Sequence, residues 1–148
     1  MTSGHDISLK HWGVAWVGLA LALHVADEAL TGFLPFYNQI VLTTRKSIAW
    51  FPFPTFSFAV WLTGLVVVTL ALFAFSPLVF SGRAWLRPVA YFLGTLLCAN
   101  AIGHMLASLY WGIWAPGIYS SPVLLLAAAL LLLATRRAKL PTRGAGSA

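Results

Sequence analysis

The sequence from Pro88 to Thr135 reads PVAYFLGTLLCANAIGHMLASLYWGIWAPGIYSSPVLLLAAALLLLAT and contains no lysine, arginine, aspartate or glutamate. Its 48 residues are too many for one membrane crossing, since a transmembrane helix takes about 20 apolar residues. The segment Trp111–Gly117 supplies a break, because its tryptophans suit the edge of a bilayer and Pro116–Gly117 suits a turn. The run therefore predicts two transmembrane helices, at about Pro88–Tyr110 and about Ile118–Thr135.

The composition of the whole chain also indicates a membrane protein. Of its 148 residues, 60% are hydrophobic and 8% are charged, against roughly 45–50% and roughly 25% in soluble domains. These values exclude a soluble enzyme and a disordered chain. The net charge of +6 does not form the basic stripe with aromatic residues that nucleic-acid binding requires, so we expect no nucleic-acid partner. The single Cys98 cannot form an internal disulfide.

Two further spans precede the uncharged run. The first runs from about His11 or Trp12 to about Leu30, and the second from about Pro54 to Phe80. The connection at 31–52 is rich in apolar and aromatic residues, so we expect it to lie on the membrane interface or dip into it. The sequence thus predicts an all-α bundle of four transmembrane helices as one domain, residues 1–135, followed by a basic, disordered cytoplasmic tail, residues 136–148.

The distribution of positive charge predicts the orientation of the bundle. Four crossings put both termini on one side, with seven of the nine lysines and arginines, and leave two in the connection at 31–52. Cytoplasmic segments carry the excess of positive charge, so we expect cytoplasmic termini in a multi-pass protein of the inner (plasma) membrane. The seven residues on the cytoplasmic side are Lys10, Arg83, Arg87, Arg136, Arg137, Lys139 and Arg143, and the other two are Arg45 and Lys46.

Five histidine, acidic or asparagine side chains fall inside the predicted spans, where ionisable side chains are costly and by default mark a functional site. His24, Asp27 and Glu28 share one face of the first helix through their i,i+3 and i,i+4 spacing. Asn100 and His104 repeat the i,i+4 spacing on the third. Both groups lie about 18–24 Å from the cytoplasmic start of their helix, at about 1.5 Å per residue. The sequence therefore predicts a shared pocket between these helices, with all five as candidate catalytic residues.

Structural roles compete with this interpretation. His104 alone could be a hydrogen-bonded core residue, the two acids could lie at the outer interface, and Asn100 could join two helices by a hydrogen bond. The leucine- and alanine-rich segment Leu124–Leu133 indicates packing against lipid and nothing more. Three aromatic residues lie around the predicted break: Tyr110, Trp111 and Trp114. They either anchor the protein at the membrane interface or cover the pocket like a roof.

The polar pattern resembles the HXXEE-motif family of small bacterial integral membrane proteins. The resemblance rests on His24-Val-Ala-Asp27-Glu28, on the second histidine His104, and on Trp114-Ala-Pro116-Gly117. Asp27 stands where the family has its first glutamate, and Trp114 stands where the family has the tyrosine of a Tyr-x-Pro-Gly motif. The resemblance covers the chain from the first span to the start of the fourth, and it indicates site residues without indicating a reaction.

Three classes of function suit these side chains. The first is an enzyme of isomerase or cyclase type acting on an apolar lipid-phase small molecule, because a carboxyl group in apolar surroundings can donate a proton while a histidine accepts one. The second is a metal-dependent membrane hydrolase with zinc or iron on His24, Glu28 and His104. The third is non-enzymatic: a haem protein or a proton or solute carrier, which at this size would have to form a homo-oligomer.

The two adjacent acids are expected to differ in role. Glu28 lies one helical turn from His24 and has the longer side chain, so it should be the functional carboxyl group. Asp27 lies on the other side of His24 and has the shorter side chain. We expect it to support the site by holding a ligand or a backbone group.

Overall fold

The computed structural model describes the backbone of residues 5–80 and 85–137 and the side chains of residues 16–75 and 85–136. Within these residues the protein has five helices and no strand, which confirms the predicted all-helical fold. The helices are α1 (His5–Thr31), α2 (Phe33–Ser47), α3 (Phe58–Phe80), α4 (Leu86–Trp111) and α5 (Ser121–Arg137).

Among the described residues, two helices are long and apolar enough to cross a membrane. They are α3 over Phe58–Phe75 and α4 over Leu86–Trp111. The described part of α1, Trp16–Thr31, meets α2 at a bend of 73°, and the pair counts as a third span if it forms one broken crossing. The apolar α5 is shorter, with 17 residues. These helices indicate a membrane protein.

The connection between the first two predicted spans contains a helix of its own, α2, which the sequence did not predict. After α2 the chain is non-helical from 51 to 57, and side chains of α2 hold it there. Asn38 both donates to the Phe56 carbonyl and accepts from the Phe56 N–H, and Arg45 donates to the Phe53 carbonyl. These bonds tie the segment to α2, and α3 begins at Phe58 and not at the predicted Pro54.

The core lies between α1, α4 and α5. Leu124 and Ala128 of α5 are fully buried there, so the prediction that Leu124–Leu133 only faces lipid is wrong for one side of this helix. Small residues explain the close packing: a Cβ atom on Gly94 of α4 would lie 2.7 Å from the Leu132 side chain. Small residues let helices approach in the same way throughout membrane proteins. α5 is therefore central to the bundle.

The predicted tail starts later than expected. Arg136 and Arg137 continue α5, because the helix runs on to Arg137. The rest of the predicted tail, residues 138–148, lies outside the described residues, as does Arg83. At the same end of the bundle Arg87 donates to the Thr135 carbonyl, so the start of α4 is tied to the end of α5.

Candidate functional site

Two histidines and a glutamate come together inside the protein. On α1, Nε2 of His24 lies 3.5 Å from Oε1 of Glu28. From α4, Nε2 of His104 lies 3.0 Å from the same oxygen. All three residues are buried, with exposed fractions of 1%, 4% and 7% for His24, Glu28 and His104. The predicted approach of a carboxylate on the first span to His104 on the third is therefore present.

The turn between α4 and α5 covers this cluster. α4 ends at Trp111 because Gly112 adopts a left-handed conformation (φ +63°), which breaks the uncharged run where the sequence predicts. Gly117 also has a positive φ, +84°, and its backbone lies directly on the cluster. A Cβ atom there would come within 2.7 Å of the His104 ring and 3.2 Å of the Glu28 side chain. Only glycine fits this position without a shift of the cluster.

The turn also determines which nitrogen of His104 carries the proton. Nδ1 of His104 is hydrogen-bonded to the Pro116 carbonyl. A carbonyl oxygen only accepts, so Nδ1 is the donor and carries a hydrogen. In the neutral ring Nε2 is then an unprotonated acceptor. That lone pair faces the Glu28 carboxylate.

A serine determines the tautomer of His24 in the same way. The Ser120 hydroxyl lies 2.7 Å from Oδ2 of Asp27 and donates to it, and the Ser120 N–H donates to the same oxygen at 2.8 Å. Since the only hydroxyl hydrogen is used, Ser120 Oγ accepts from Nδ1 of His24 at 2.8 Å. Nε2 of His24 is then the unprotonated nitrogen. It is buried and makes no hydrogen bond, because its 3.5 Å contact with Glu28 lacks hydrogen-bond geometry.

With both imidazoles neutral, three lone pairs face one another in the cluster. They belong to Nε2 of His24, Nε2 of His104 and Oε1 of Glu28, and one ligand atom from each residue lies within 4.8 Å of the others. Buried acceptors that face one another need a cation between them, which is a proton or a metal ion. Metal-binding histidines donate their other ring N–H to a carboxylate or a carbonyl. The Pro116 carbonyl serves His104 in this way, and Asp27 serves His24 through Ser120.

Two of the predicted site residues lie outside the cluster. Asp27 is half-buried and contacts His24 only through Ser120, in line with its expected supporting role. Asn100 is exposed and makes no hydrogen bond within the described part of the chain. Asn100 therefore does not share a pocket with the acids of α1, contrary to the prediction. Within the described residues it also does not join two helices by a hydrogen bond, which was the alternative. The single pocket of five side chains is thus corrected to a cluster of three.

Sequence reasoning missed the groups that orient the cluster. Besides Ser120 and the Pro116 carbonyl, the Thr31 hydroxyl accepts from the Gly117 N–H at 3.1 Å while donating to the Asp27 carbonyl at 2.6 Å. The only signal was the position of Ser120 just after Pro116–Gly117. A serine before a helix is an ordinary capping residue, so that signal does not point to a site.

A groove of about 800 Å³ lies between α2 and α4 and reaches the cluster at His104. Tyr110 and Trp111 line it, and both side chains are exposed. Trp114 is exposed and stacks on Tyr119 with ring centroids 5.7 Å apart. The indole of the Trp-Ala-Pro-Gly segment therefore takes no part in the cluster, whereas the backbone of Pro116 and Gly117 does.

No protein-family model, curated protein or solved structure matches this chain. The resemblance to the HXXEE-motif family thus stays a prediction that rests on the motif residues. Three parts of that motif pattern lie at one place in the fold: His24 and Glu28, His104, and the turn at Pro116–Gly117.

Proposed function

We propose that this protein is a metal-dependent membrane enzyme in which His24, Glu28 and His104 bind one divalent ion, zinc or iron. The observation that carries the proposal is the convergence of one ligand atom each from His24, Glu28 and His104, while Nδ1 of each histidine is held by a group outside the cluster. Two imidazoles and one carboxylate are a sufficient ligand set for catalytic zinc or for non-haem iron. Such a set leaves at least one coordination position for water or substrate.

The chemistry that fits this set is hydrolysis of an ester or amide. A metal-bound water is a nucleophile near neutral pH. Its oxygen forms a bond to the acyl carbon, the bond from that carbon to the leaving oxygen or nitrogen breaks, and the leaving group takes the proton. The products are a carboxylic acid and an alcohol or amine.

Metal-free acid–base chemistry is the second candidate, and the 3.0 Å contact between His104 and Glu28 supports it. A shared proton in that contact would satisfy both groups. It would leave Nε2 of His24 buried and without a hydrogen bond, which costs free energy. A metal ion satisfies all three acceptors at once, and for this reason we favour it.

A haem held between the two histidines fits poorly. Bis-histidine ligation puts the two rings on opposite faces of the macrocycle. Here the rings of His24 and His104 are in edge contact, with centroids 4.9 Å apart and planes at 80°. This leaves no room for a haem between them.

Elemental analysis and an absorption spectrum of the detergent-purified protein test the proposal. We expect about one zinc or iron per chain, no Soret band, and loss of the metal in His24→Ala and His104→Ala. Cys98→Ala is the matched control. Cys98 is also on α4 and its thiol is a type of group that can bind metals, but it lies outside the cluster. Metal content that is well below one per chain, and equal in wild type and His24→Ala, would refute the metal centre.

We further propose four membrane crossings with cytoplasmic termini in the inner (plasma) membrane, formed by α1, α3, α4 and α5, with α2 at the membrane interface. The proposal is supported by the distribution of lysine and arginine, of which seven fall on the predicted cytoplasmic side and two on the other side. His24 and His104 then lie at one depth inside the bilayer. Reporter fusions after Lys46 and after Arg143 should report opposite sides of the membrane. The same side for both would overturn this topology.

A further inference from the structure

The groove between α2 and α4 is continuous with the cluster. Phe33 and Phe36 of α2 form one wall, and Gly103, His104 and Leu106 of α4 form the other. His104 belongs both to the groove and to the cluster. The centroids of the Phe33 and His104 rings are 5.1 Å apart. A molecule in the groove would therefore contact the edge of the site through His104.

The shape and lining of the groove suit an elongated apolar ligand. Its volume of about 800 Å³ falls within the range of roughly 300–1,000 Å³ typical of small-molecule pockets. Phe36 and Trp111 pack edge to face, 5.2 Å apart, and narrow the groove on one side. Gly103 leaves the middle open, since a Cβ atom there would meet nothing within 4 Å.

Asn100 is the only amide side chain in this largely apolar lining. Asn100 lies four residues before His104 on α4, about 6 Å along the helix axis, and its amide makes no hydrogen bond within the described residues. The amide is exposed in the groove, so its N–H groups are free to donate to a bound molecule. A ligand carbonyl would satisfy the Asn100 N–H donors and would be held near His104.

We propose that this groove binds a fatty acyl ester or amide, with the acyl chain between α2 and α4 and the carbonyl between Asn100 and His104. This names a substrate class for the proposed hydrolase and rests on that function for its chemistry. Binding itself depends only on the groove residues. Binding and metal content can therefore be measured separately.

A fatty acid methyl ester with a diazirine in its chain tests the proposal by photolabelling the purified protein. We expect adducts to concentrate at 33–40 and 99–111, the two walls of the groove. Gly103→Leu fills the groove and should lower this labelling at least tenfold while metal content stays at the wild-type level. Gly64→Leu is the matched control, because Gly64 on α3 is another glycine with open space around it, and labelling should be unchanged.

A second variant tests the carbonyl contact. Asn100→Leu should weaken labelling by the ester several-fold and leave labelling by an alkyl diazirine without a carbonyl unchanged. Equal groove labelling of wild type and Gly103→Leu would overturn the proposal, as would adducts spread evenly over the exposed surface of 58–75 on α3. If Gly103→Leu abolishes labelling but the wild type holds no metal, the groove proposal stands and the metal centre fails.

Discussion

Glu28→Gln should remove metal binding while the helices stay folded. The glutamine side chain keeps the shape of glutamate but replaces an anionic oxygen with a neutral amide. Glu28 supplies the only carboxylate within the cluster of three. We therefore expect the apparent zinc affinity to fall by more than roughly 100-fold, which is more than the loss expected when a residue that only orients a metal ligand is replaced. Metal titration of the purified variant measures this loss, and circular dichroism checks that helix content is retained.

Asp27→Asn and Ser120→Ala are the matched comparisons, because both act on the cluster only by orienting His24. Each should lower zinc affinity by roughly 10–100-fold. The two residues form one hydrogen-bonded chain, so the double variant should bind zinc about as well as Ser120→Ala alone. If Asp27→Asn lost the metal while Glu28→Gln bound it like wild type, the assignment of roles would be reversed.

Gly117→Ala should both destabilise the protein and displace the cluster. Its φ of +84° disfavours any residue with a Cβ atom by about 1–2 kcal/mol. The added atom would in addition lie 2.7 Å from the His104 ring and 3.2 Å from Glu28. We expect a lower midpoint of thermal unfolding and loss of the metal, measured on the same preparation.

Gly112→Ala separates backbone strain from the clash at the cluster. Gly112 also has a positive φ, +63°, but a Cβ atom there would meet nothing within 4 Å. This variant should lose stability through strain alone and keep its metal. If Gly117→Ala bound metal as tightly as Gly112→Ala, the backbone at Gly117 would have no part in shaping the site.

The sequence predicts the three cluster residues because their placement follows from regular geometry. The i,i+4 spacing puts His24 and Glu28 on one face, and equal depth along two helices brings His104 to their level. Asn100 shows the limit of this reasoning. The i,i+4 spacing that brings Glu28 beside His24 leaves Asn100 outside the cluster, where it lines the groove. The spacing puts two side chains on one face of a helix, but it does not decide which of them a neighbouring helix contacts.

The groups that fix the histidine tautomers follow no such periodicity. Ser120 and the Pro116 carbonyl reach the cluster only because the chain reverses at Gly117 with a positive φ. The Pro-Gly pair predicts a turn, but not which helices it will contact. α2 was missed for a related reason, since Pro35 near its start and its short length weaken the helical signal. Contacts between distant segments decide both features.

X-ray absorption at the zinc K-edge of the zinc-loaded wild-type protein tests the central claim most directly, because it reports the ligands of the ion itself. We predict two imidazole nitrogens at about 2.0–2.1 Å and one carboxylate oxygen at about 2.0–2.2 Å, with one further light-atom ligand completing the ion's surroundings. His24→Ala, which should lose the metal, should not show this imidazole scattering after the same zinc loading. A wild-type spectrum without imidazole scattering, or one with sulfur at about 2.3 Å, would contradict the assignment of His24, Glu28 and His104 as a metal site.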